Sequence, residues 1–424
     1  MNYNEALTFI HSVNNYFCKP GLDRIKALCE FLGNPQDKLK FIHVAGTNGK
    51  GSFCSMLTSI LKSAGYKIGT YTSPYILNFN ERIAINGEPI PDDELAALCD
   101  KIKPFCESAT DKPTEFEVIT AIGFEYFKRQ NCDVVVLECG LGGRFDATNI
   151  IKTPVLSVIT GVDFDHQNFL GNTIEKIANE KAGIIKKGVP CLWCGDNAVA
   201  YKTISETAKE VGAPLFVCEQ KGITFNNMDL DGTDFNFGNY KNVLCPLLST
   251  YQPLNAANAI RASEILNDNG FKIQKHCIYD GIKNARWHAR FEILSHSPTV
   301  IFDGGHNPQG VTAAVESIKT YFKDTHVNIL TGVMSDKDYN YIASEIGSVA
   351  KKVFCIRPDN PRALAAEKYA DIFSDMGITA LPFEQISDGI DAALKDSKEN
   401  NTPLIVLGSL YMYGDVYKKI KEKQ

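Results

Sequence analysis

The sequence predicts an α/β protein of two domains. The N-terminal domain is expected to have a doubly wound, mainly parallel sheet with a small antiparallel insertion, and the C-terminal domain to be Rossmann-like. Three observations predict this fold class. The chain has 424 residues, too many for one hydrophobic core. Short apolar runs rich in β-branched residues alternate with helical stretches, and a second such series begins near residue 298.

The first series of apolar runs predicts strands that are buried on both faces of a parallel sheet. The runs are "FIHVAG" (41–46), "CDVVVLECG" (132–140), "TPVLSVITG" (153–161) and "GVPCLWCG" (188–195). The stretch "GSFCSMLTSILKSAG" (51–65) has apolar residues at helical spacing and Gly65 as a stop signal. Together they predict βαβ units.

The later part of the chain changes character twice. Residues 220–250 are rich in Asn, Gly, Asp and aromatic residues, which predicts the antiparallel insertion. The runs "PTVIFDGG", "VNILTGV", "KKVFCIRP" and "TPLIVLGS" then predict the second sheet. We expect the domain boundary within "RFEILSHSP", near 291–297, and therefore domains at 1–292 and 297–424.

Composition excludes several classes of protein. A net charge of −6 argues against a broad nucleic-acid surface, and we expect no nucleic-acid partner. The N-terminus lacks the pattern of a signal peptide, and no apolar run reaches the roughly 18 residues of a membrane span. Thirteen cysteines, including Cys191 and Cys194 in a predicted strand, fit reduced and packed thiols. We expect a cytoplasmic monomer without a membrane contact.

The stretch "AGTNGKGS" (45–52) is a variant of a phosphate-binding loop. The general pattern places a hydroxyl residue directly after the lysine, whereas Gly51 follows Lys50 here and Ser52 comes one position later. The loop lies between a predicted strand and a predicted helix, so its backbone N–H groups and the helix N-terminus can bind phosphate. The alternative is an ordinary tight turn with an exposed lysine.

Motifs along nearly the whole chain resemble the folylpolyglutamate synthase and dihydrofolate synthase family of the Mur-ligase group. In that family a glycine after the lysine is the expected residue, so the first domain is expected to be a P-loop ATPase domain. The matching motifs, in order, are "GTNGKGS" (46–52), "TSPYILNFNERIAING" (72–87), "TEFEVIT" (114–120), "LECGLGGRFDATN" (137–149), "DFDHQNFLG" (163–171), "ANEKAGIIKKG" (178–188), "LNAANA" (254–259), "RWHARFE" (286–292), "DGGHNPQG" (303–310), "MSDKDY" (334–339) and "LGSLYMYGDV" (407–416).

The resemblance implies a nucleotide site and a metal site. Residues implied to bind ATP are Gly46, Thr47, Asn48, Gly49, Lys50, Gly51, Ser52, Asn255, Arg290 and Asp303. The implied ligands of Mg²⁺, of which we expect two ions, are Ser73, Glu138, His166 and a carbamylated Lys181. Glu138 also ends a predicted parallel strand, where open α/β sheets bind ligands. Its other interpretation is a solvated acid at a strand end, and His166 alone would more often be structural.

Lys181 has two interpretations. It lies in "NEKAGI", where it could be a surface lysine paired with Glu180 or Glu175. The resemblance instead implies that CO2 carbamylates its amine, giving an anion that helps to hold Mg²⁺. Carbamylation requires the neutral amine, so a depressed pKa in a partly buried site is expected.

The resemblance also implies an acceptor site for folate or dihydropteroate. Thr114, Phe116 and Asp146 are implied to contact the pterin ring, although Thr114 also reads as a helix N-cap. The stretch "SPYILNFNERI" resembles a mobile loop over the acceptor and includes Arg82. Tyr75 stands in that loop where histidine is common, which leaves its contact open.

The second domain is implied to supply catalytic groups. Asp303 and His306 of "DGGHN" join Lys50, Lys181 and His166 as candidate catalytic residues. Arg290 lies near the predicted domain junction, so contact with ATP would couple nucleotide binding to closure. The stretch "RWHAR" has His288 and Ala289 where W-P-G-R is common, which leaves the shape of this loop open.

The implied reaction is ATP-dependent addition of L-glutamate to a folate, and also to dihydropteroate, through an acyl phosphate. Two alternatives stay open. One is a Mur-type ligase that acts on a cell-wall precursor, although only 45 residues precede the loop, too few for the usual UDP-binding domain. The other is a P-loop nucleotide switch, which would need no second α/β domain. ADP release that requires both acceptor and glutamate distinguishes the ligase from the switch.

Overall fold

A computed structural model of the chain describes residues 1–13, 21–323 and 325–423. Its contacts divide into two units. The first unit contains Met1–Ile223 and Asn255–Ala285, and the second contains Thr224–Leu254 and Arg286–Gln424. Each unit has its own sheet and hydrophobic core, which agrees with the α/β fold class predicted from the two series of apolar runs.

The sheet of the first unit has the strand order β4-β3-β2-β5-β1-β6-β7-β8. Strands β2, β5, β1, β6, β7 and β8 are parallel, whereas β3 and β4 form an antiparallel edge. Every residue of β1 and β5 is buried, as continuous apolar runs predict. The strands are β1 (Phe41–Ala45), β2 (Ile68–Tyr71), β3 (Ile83–Ile85), β4 (Glu88–Pro89), β5 (Val134–Glu138), β6 (Leu156–Ile159), β7 (Cys191–Trp193) and β8 (Leu215–Val217).

Helices cover both faces of this sheet, as a doubly wound fold requires. Val135 and Leu137 of β5 pack in one core with α1, α2, α4 and α5, while α3 packs against the opposite face and against α10. The helices are α1 (Tyr3–Ser12), α2 (Asp23–Phe31), α3 (Lys50–Ser63), α4 (Asp92–Ser108), α5 (Glu115–Arg129), α6 (Gln167–Leu170), α7 (Ile174–Ala182), α8 (Ala198–Val211), α9 (Gln252–Asp268) and α10 (Lys275–Asn284).

The second unit contains two sheets. An antiparallel sheet of order β11-β10-β9 is formed by the segment predicted as the insertion, and a mixed sheet has the order β12-β13-β17-β14-β15-β16. The strands are β9 (Ile223–Asp229), β10 (Gly232–Phe237), β11 (Tyr240–Cys245), β12 (Glu292–His296), β13 (Thr299–Asp303), β14 (Val327–Thr331), β15 (Ala350–Ile356), β16 (Ala380–Phe383) and β17 (Leu404–Leu407).

In the mixed sheet β12 pairs antiparallel with β13, and the other strands pair in parallel. Buried residues of β13, β14, β15 and β17 pack with α11, α12 and α13 in one core. The helices of this unit are α11 (Pro308–Phe322), α12 (Tyr339–Gly347), α13 (Ala366–Asp375), α14 (Ile386–Glu399) and α15 (Tyr413–Lys423).

Residues 291–297, expected to hold the domain boundary, include a strand of the second sheet. Glu292 to His296 form β12, whose Ile293 pairs with Ile301 of β13. The contact-based units also assign Thr224–Leu254 to the second unit, whereas the predicted domains placed these residues in the first. The domain limits 1–292 and 297–424 stay a prediction. Among the described residues, no helix is long and apolar enough to cross a membrane.

Candidate active site

The stretch "GTNGKGS" forms the turn between β1 and α3. Gly49 has φ +83° and Gly46 has φ +158°, and a Cβ atom on Gly46 would lie 1.9 Å from Thr160 Oγ1. Only glycine fits this approach. Lys50 is the first residue of α3, so the backbone N–H groups of the turn lie at the N-terminus of a 14-residue helix. This is the geometry that binds phosphate groups.

The loop is tied to the segment after β6. Thr160 Oγ1 donates to the carbonyl of Asn48 at 2.7 Å, and the N–H of Thr47 donates to the carbonyl of Gly161 at 2.9 Å. The hydroxyl of Thr47 accepts from the N–H of Asp163 at 3.0 Å. A Cβ atom on Gly49 would lie 2.8 Å from Asn255 Oδ1, so Asn255 of α9 also lies against the loop. Ser52 is buried in the first turn of α3.

Lys50 and Glu138 form an ion pair at the carboxyl end of the sheet. Lys50 Nζ lies 3.9 Å from Glu138 Oε1 and donates to the carbonyls of Gly46 at 3.1 Å and Thr47 at 3.3 Å. The Glu138 side chain is only 4% exposed, and its Oε2 accepts from the N–H of Ser73 at 3.4 Å. The structure therefore brings Lys50, Glu138 and Ser73 together, as the motif match implies.

A cleft of the first unit begins at the phosphate loop. It is lined by Gly46, Thr47, Lys50, Gly140, Leu141, Gly142, Asp165, His166, Leu170 and Lys181. Five of these residues are candidates from the sequence: Gly46, Thr47, Lys50, His166 and Lys181. They arrive from the segments that follow β1 and β6 and from α7, so the topology brings together residues that are far apart in the chain.

Lys181 is buried, not on the helix surface. Its residue is 3% exposed although it lies in the last turn of α7, and Glu180 pairs instead with Arg144 at 3.8 Å. Burial, aided by repulsion from Lys50, lowers the pKa of Lys181 to about 7. Nearby Cys139, Asp165 and Asp146 oppose this shift. A large share of the amine is therefore neutral near pH 7, and the surface-lysine interpretation is wrong.

His166 has a half-exposed side chain and a left-handed backbone conformation, with φ +50°. Its Nε2 lies 3.9 Å from Asp165 Oδ2, and its N–H donates to Asp165 Oδ1 at 2.9 Å. The strained backbone turns the chain sharply after β6, at the point where His166 and Asp165 reach the cleft.

The donor groups at this edge suit magnesium. Glu138 supplies a buried carboxylate and Ser73 a hydroxyl, and Mg²⁺ prefers oxygen ligands. Among the described residues, no three His, Cys, Asp or Glu side chains cluster closely enough to hold a metal by themselves. The predicted ligand set does not need such a cluster, because it includes Ser73 and a carbamylated Lys181.

Thr114 and Phe116 lie at the N-terminus of α5. Thr114 is the N-cap: its Oγ1 accepts from the N–H of Glu117 at 3.3 Å, and Glu117 Oε2 accepts from the N–H of Thr114 at 2.7 Å. The ring of Phe116 lies against Gly140, where an added Cβ atom would lie 2.5 Å from Phe116 Cζ. Phe116 is thus adjacent to the loop that lines the cleft.

Asp146 holds the loop that follows β5. Its Oδ2 accepts from the N–H of Leu141 at 2.8 Å, and its Oδ1 accepts from the N–H of Thr148 at 3.0 Å. The Asp146 residue is 6% exposed. Burial raises the pKa of Asp146, and the hydrogen bonds from Thr148 and Leu141 oppose that effect.

Arg82 lies over two aromatic rings. Its guanidinium carbon is 5.2 Å from the ring centre of Tyr75 and 5.6 Å from that of Phe79. The rings of Tyr75 and Phe79 are 5.7 Å apart. Tyr75, the residue that departs from the family pattern, thus packs against Phe79 and Arg82 of its own segment and is 39% exposed.

Asp303 and Arg290 belong to the second unit. Asp303 is 2% exposed, and its Oδ2 accepts from the hydroxyl of Tyr251 at 2.7 Å and from the N–H of Phe291 at 2.9 Å. Burial raises the pKa of Asp303, and Arg290 is the largest opposing influence. His306 lies just before α11, and its Nδ1 is 3.0 Å from the carbonyl oxygen of Gly304.

The loop "RWHAR" keeps a turn although it lacks the usual Pro and Gly. Ala289 adopts φ +58° and is fully buried. Glu292 holds the turn: its Oε2 accepts from the N–H of Ala289 at 2.8 Å and from the hydroxyl of Tyr413 at 2.8 Å, and its Oε1 lies 2.8 Å from His288 Nδ1. These contacts offset the cost of a left-handed alanine.

Four residues at these sites were not identified as candidates from the sequence. Asp163 and Asp165 stand in "DFDHQNF" directly after an apolar run, a signal that could have found them. Thr160 ends the same run and ties the phosphate loop. Tyr251 had no signal, because it contacts Asp303 over a separation of 52 residues.

Comparison with known proteins assigns this architecture to a family. The Mur ligase middle domain matches residues 44–263, and the Mur ligase glutamate ligase domain matches residues 289–410. The chain is 38% identical to a dihydrofolate synthase/folylpolyglutamate synthase of Bacillus subtilis (strain 168), with 99% of each chain covered. It is 34% identical to a folylpolyglutamate synthase of Lacticaseibacillus casei, with 97% of each covered.

Solved structures agree. Escherichia coli FolC in complex with DHPP and ADP superposes with a TM-score of 0.88 at 30% identity, and the match covers 100% of this chain and 98% of that one. A ligase domain follows the P-loop domain, so a simple nucleotide switch does not account for the chain. The chain therefore belongs to the folylpolyglutamate synthase and dihydrofolate synthase family of Mur-type, ATP-dependent ligases.

Proposed function

We propose that this enzyme joins L-glutamate to a folate through an amide bond, converting ATP to ADP and phosphate, and that it accepts dihydropteroate as well. The observation that carries the proposal is the cleft of the first unit, where the phosphate loop, Lys50 and a buried Lys181 meet. Family membership supplies the reaction class, and the residues that line the cleft support the proposal.

The chemistry divides into two steps. A carboxylate oxygen of the acceptor attacks the γ-phosphorus of ATP, ADP leaves, and an acyl phosphate forms. The amine of glutamate then attacks the acyl carbon, loses a proton and displaces phosphate. Activation is needed because a carboxylate is a poor electrophile at neutral pH. Lys50, with the loop N–H groups and the N-terminus of α3, stabilises the negative charge on the phosphoryl group.

Ser73, Glu138, His166 and Lys181 are the residues we propose to hold magnesium. When bound, Mg²⁺ would offset the charge on the phosphate oxygens of the nucleotide. The buried carboxylate of Glu138 beside the N–H of Ser73 supports a hard cation, and Lys50 at 3.9 Å partly balances that carboxylate. The roles proposed for Asn255, Arg290 and Asp303 toward ATP, and for His306 in catalysis, rest on the motif match.

Carbamylation of Lys181 is part of this proposal. The reaction joins the neutral amine to CO2 and releases a proton, which leaves an oxygen anion in place of a cation. Burial and the neighbouring Lys50, which lower the pKa of Lys181 to about 7, favour the neutral amine. Protein incubated with ¹³C-bicarbonate should show a carbamate carbonyl signal in its NMR spectrum, and the Lys181→Ala variant should lack it. Mg²⁺-dependent activity that survives in Lys181→Ala would contradict this role.

Dihydropteroate is proposed as a second acceptor because an aromatic ring at the start of α5 lies against the loop after β5, which carries a buried carboxylate. Phe116 packs against Gly140, and Asp146 holds the N–H of Leu141 in the same loop. A flat heterocycle with hydrogen-bond donors suits such a pair. Arg82, which lies over the rings of Tyr75 and Phe79, is proposed as a further acceptor contact.

The test is ADP release by the purified protein with Mg²⁺ and ATP. Separate reactions contain tetrahydrofolate or dihydropteroate, each with and without labelled glutamate. We expect ADP release only when acceptor and glutamate are both present, with label incorporated into the acceptor. Glutamate-dependent activity with tetrahydrofolate but not with dihydropteroate would contradict the proposal of two acceptors. Glutamylation of a nucleotide-linked cell-wall precursor instead of either pterin would overturn the proposed function.

A further inference from the structure

A chain of four buried polar side chains lies beneath the loop that follows β5. His43 is in the middle of β1, Cys139 follows Glu138, and Thr148 and Asp146 lie farther along the chain. Their exposed fractions are 0%, 1%, 0% and 6%. Buried polar groups cost stability unless they are hydrogen-bonded, so the partners of these four side chains matter.

The distances fix the direction of the hydrogen bonds. Thr148 Oγ1 lies 2.5 Å from Asp146 Oδ1 and 2.8 Å from His43 Nε2. The threonine hydroxyl has one proton, and the carboxylate can only accept it. Thr148 therefore donates to Asp146 and accepts from His43, which must carry its proton on Nε2. Cys139 Sγ, 3.1 Å from the same Nε2, is the other neighbour.

His43 is uncharged and donates a hydrogen bond, but its burial lowers the stability of the fold. Burial lowers its pKa to about 3, with a smaller contribution from Lys186. Its Nδ1 is buried, and the described residues offer it no hydrogen-bond partner. A buried acceptor left without a partner destabilises the fold, so an apolar side chain would suit this position better for stability alone. The benefit of histidine must lie in the bond from its Nε2.

That bond acts on the residue proposed to meet the acceptor. Asp146 Oδ1 is bound by the hydroxyl and the N–H of Thr148, and Oδ2 by the N–H of Leu141, a residue of the cleft wall. The carboxylate thus joins the buried chain of side chains to the cleft. If the hydroxyl of Thr148 lost its partner, it could rotate, and Asp146 would lose a charge-assisted hydrogen bond.

We propose that His43 and Thr148 are positioning residues for acceptor binding, which orient the carboxylate of Asp146 and the loop of residues 140–146 toward the pterin ring. This inference rests on the proposed function. It predicts that both residues affect binding of the acceptor and not binding of the nucleotide, because the nucleotide loop is held by other contacts, from Thr160 and Asp163.

The test compares variants in steady-state ADP release and in melting temperature, Tm. His43→Leu removes the Nε2 donor, and Thr148→Val removes the hydroxyl at nearly constant volume. Thr148→Ser is the rescue variant because it keeps the hydroxyl. Ser157→Ala is the matched control: Ser157 pairs with His43 across β1 and β6 and is equally buried, but its hydroxyl donates to the carbonyl of Ile184.

Thr148→Val removes a hydrogen bond to the charged Asp146, and His43→Leu removes the donor that holds the Thr148 hydroxyl in place. We expect each to raise the KM for dihydropteroate about tenfold. The KM for ATP should change by less than about twofold in every variant. Thr148→Ser and Ser157→Ala should resemble the wild type in both constants. The Tm of His43→Leu should be equal to or higher than that of the wild type, which a purely structural histidine would not give.

Several results would overturn the inference. They are an unchanged KM for dihydropteroate, a parallel rise in both KM values, or failure of both His43→Leu and Thr148→Val to fold. If only Thr148→Val fails to fold, His43→Leu decides the matter. A wild-type protein without acceptor-dependent ADP release would reject the proposed function itself. The two failures are therefore distinguishable, since the variants are interpreted only against an active wild type.

Discussion

Lys50 is the residue on which phosphoryl transfer should depend most. Its ammonium lies over the phosphate loop, within 3.9 Å of Glu138 and within hydrogen-bonding distance of two loop carbonyls. We expect Lys50→Met to lower kcat/KM by at least about 100-fold, because the positive charge proposed to stabilise the transferred group is lost. ADP release under acceptor-saturated conditions measures this.

The matched control is Lys62→Met. Lys62 is in the same helix, α3, but is exposed and donates to the carbonyl of Asn86. Its replacement should leave kcat/KM within about twofold of the wild type. A similar loss of activity in both variants would mean that α3 does not tolerate replacement of a lysine by methionine. The specific role proposed for Lys50 would then be rejected.

Lys181 should make stability depend on pH in a defined window. Its pKa is about 7 in the folded protein against 10.5 for the free side chain, so the unfolded chain binds more protons between these values. Stability therefore rises with pH across that window. Below about pH 7 the folded state holds a buried cation, and the penalty is complete.

The measurement compares Tm of the wild type and Lys181→Met between pH 6.5 and about 10 in buffer purged of CO2. The Tm of the wild type should rise relative to that of the variant as pH increases. Glu175→Gln, a change at the exposed start of α7, serves as the control. Its Tm should differ little from that of the wild type across the same pH range. A Tm difference that stays constant with pH would show that Lys181 is not buried as a neutral amine.

At the scale of elements, the packing of α10 on α3 depends on Gly281. An added Cβ atom there would lie 2.3 Å from Ile60 Cα, a backbone atom that cannot move aside without shifting α3. We expect Gly281→Ala to destabilise the protein by about 1–3 kcal/mol, although alanine favours helices over glycine. Thermal unfolding measures the effect.

Gly414→Ala is the corresponding control. Gly414 is exposed in α15, and an added Cβ atom would have no heavy atom within 4 Å. This variant should be slightly more stable than the wild type, because only helix propensity changes. If Gly281→Ala were also stabilised, the close approach of α10 and α3 would be wrong.

The strands were the elements most readily predicted from sequence. The runs at 41–46 and 132–140 became β1 and β5 within one or two residues, because a strand buried on both faces needs apolar residues throughout. β12 was missed as a strand, since "EILSH" carries polar residues at an edge and resembles a linker. The antiparallel sheet of β9 to β11 was predicted from its turn residues.

The chemistry of single side chains was less predictable than the elements that carry them. The motifs led to Lys50, Glu138 and Lys181, but "IEKIANEKA" has the charges of a surface helix, and nothing in it shows that Lys181 is buried. Contacts such as that of Tyr251 with Asp303 depend on tertiary packing across many residues, which a local pattern does not encode.

At the scale of the whole molecule, the cysteines should report on unfolding. Cys29, Cys54, Cys99, Cys106, Cys132, Cys139, Cys191, Cys194, Cys218, Cys245, Cys277 and Cys355 are all free and buried, which confirms the expectation of packed thiols for Cys191 and Cys194. Burial raises the pKa of most of these thiols, including Cys191 to about 12, so little reactive thiolate is present at neutral pH.

We expect a Cys18→Ser variant, which removes the one cysteine outside the described residues, to react with Ellman's reagent very slowly in native buffer. In denaturant all twelve thiols of the same variant should react with the reagent. The wild type, which retains Cys18, is measured alongside for comparison. Fast native reaction at several of the twelve sites would mean that the cores open readily or are packed differently.

The segment of residues 72–82 connects β2 to β3, and Tyr71 and Ile83 pair directly across that antiparallel ladder. The two ends of the segment are therefore held next to each other near one edge of the sheet. Strand β5 separates them from β1, the strand that precedes Lys50. We expect exchanges within residues 74–82, which leave Ser73 beside Glu138, to change the choice of acceptor while the ion pair of Lys50 and Glu138 keeps its position. If the acceptor contacts proposed for this segment hold, residues 74–82 are the part of the chain to vary when a different acceptor is wanted.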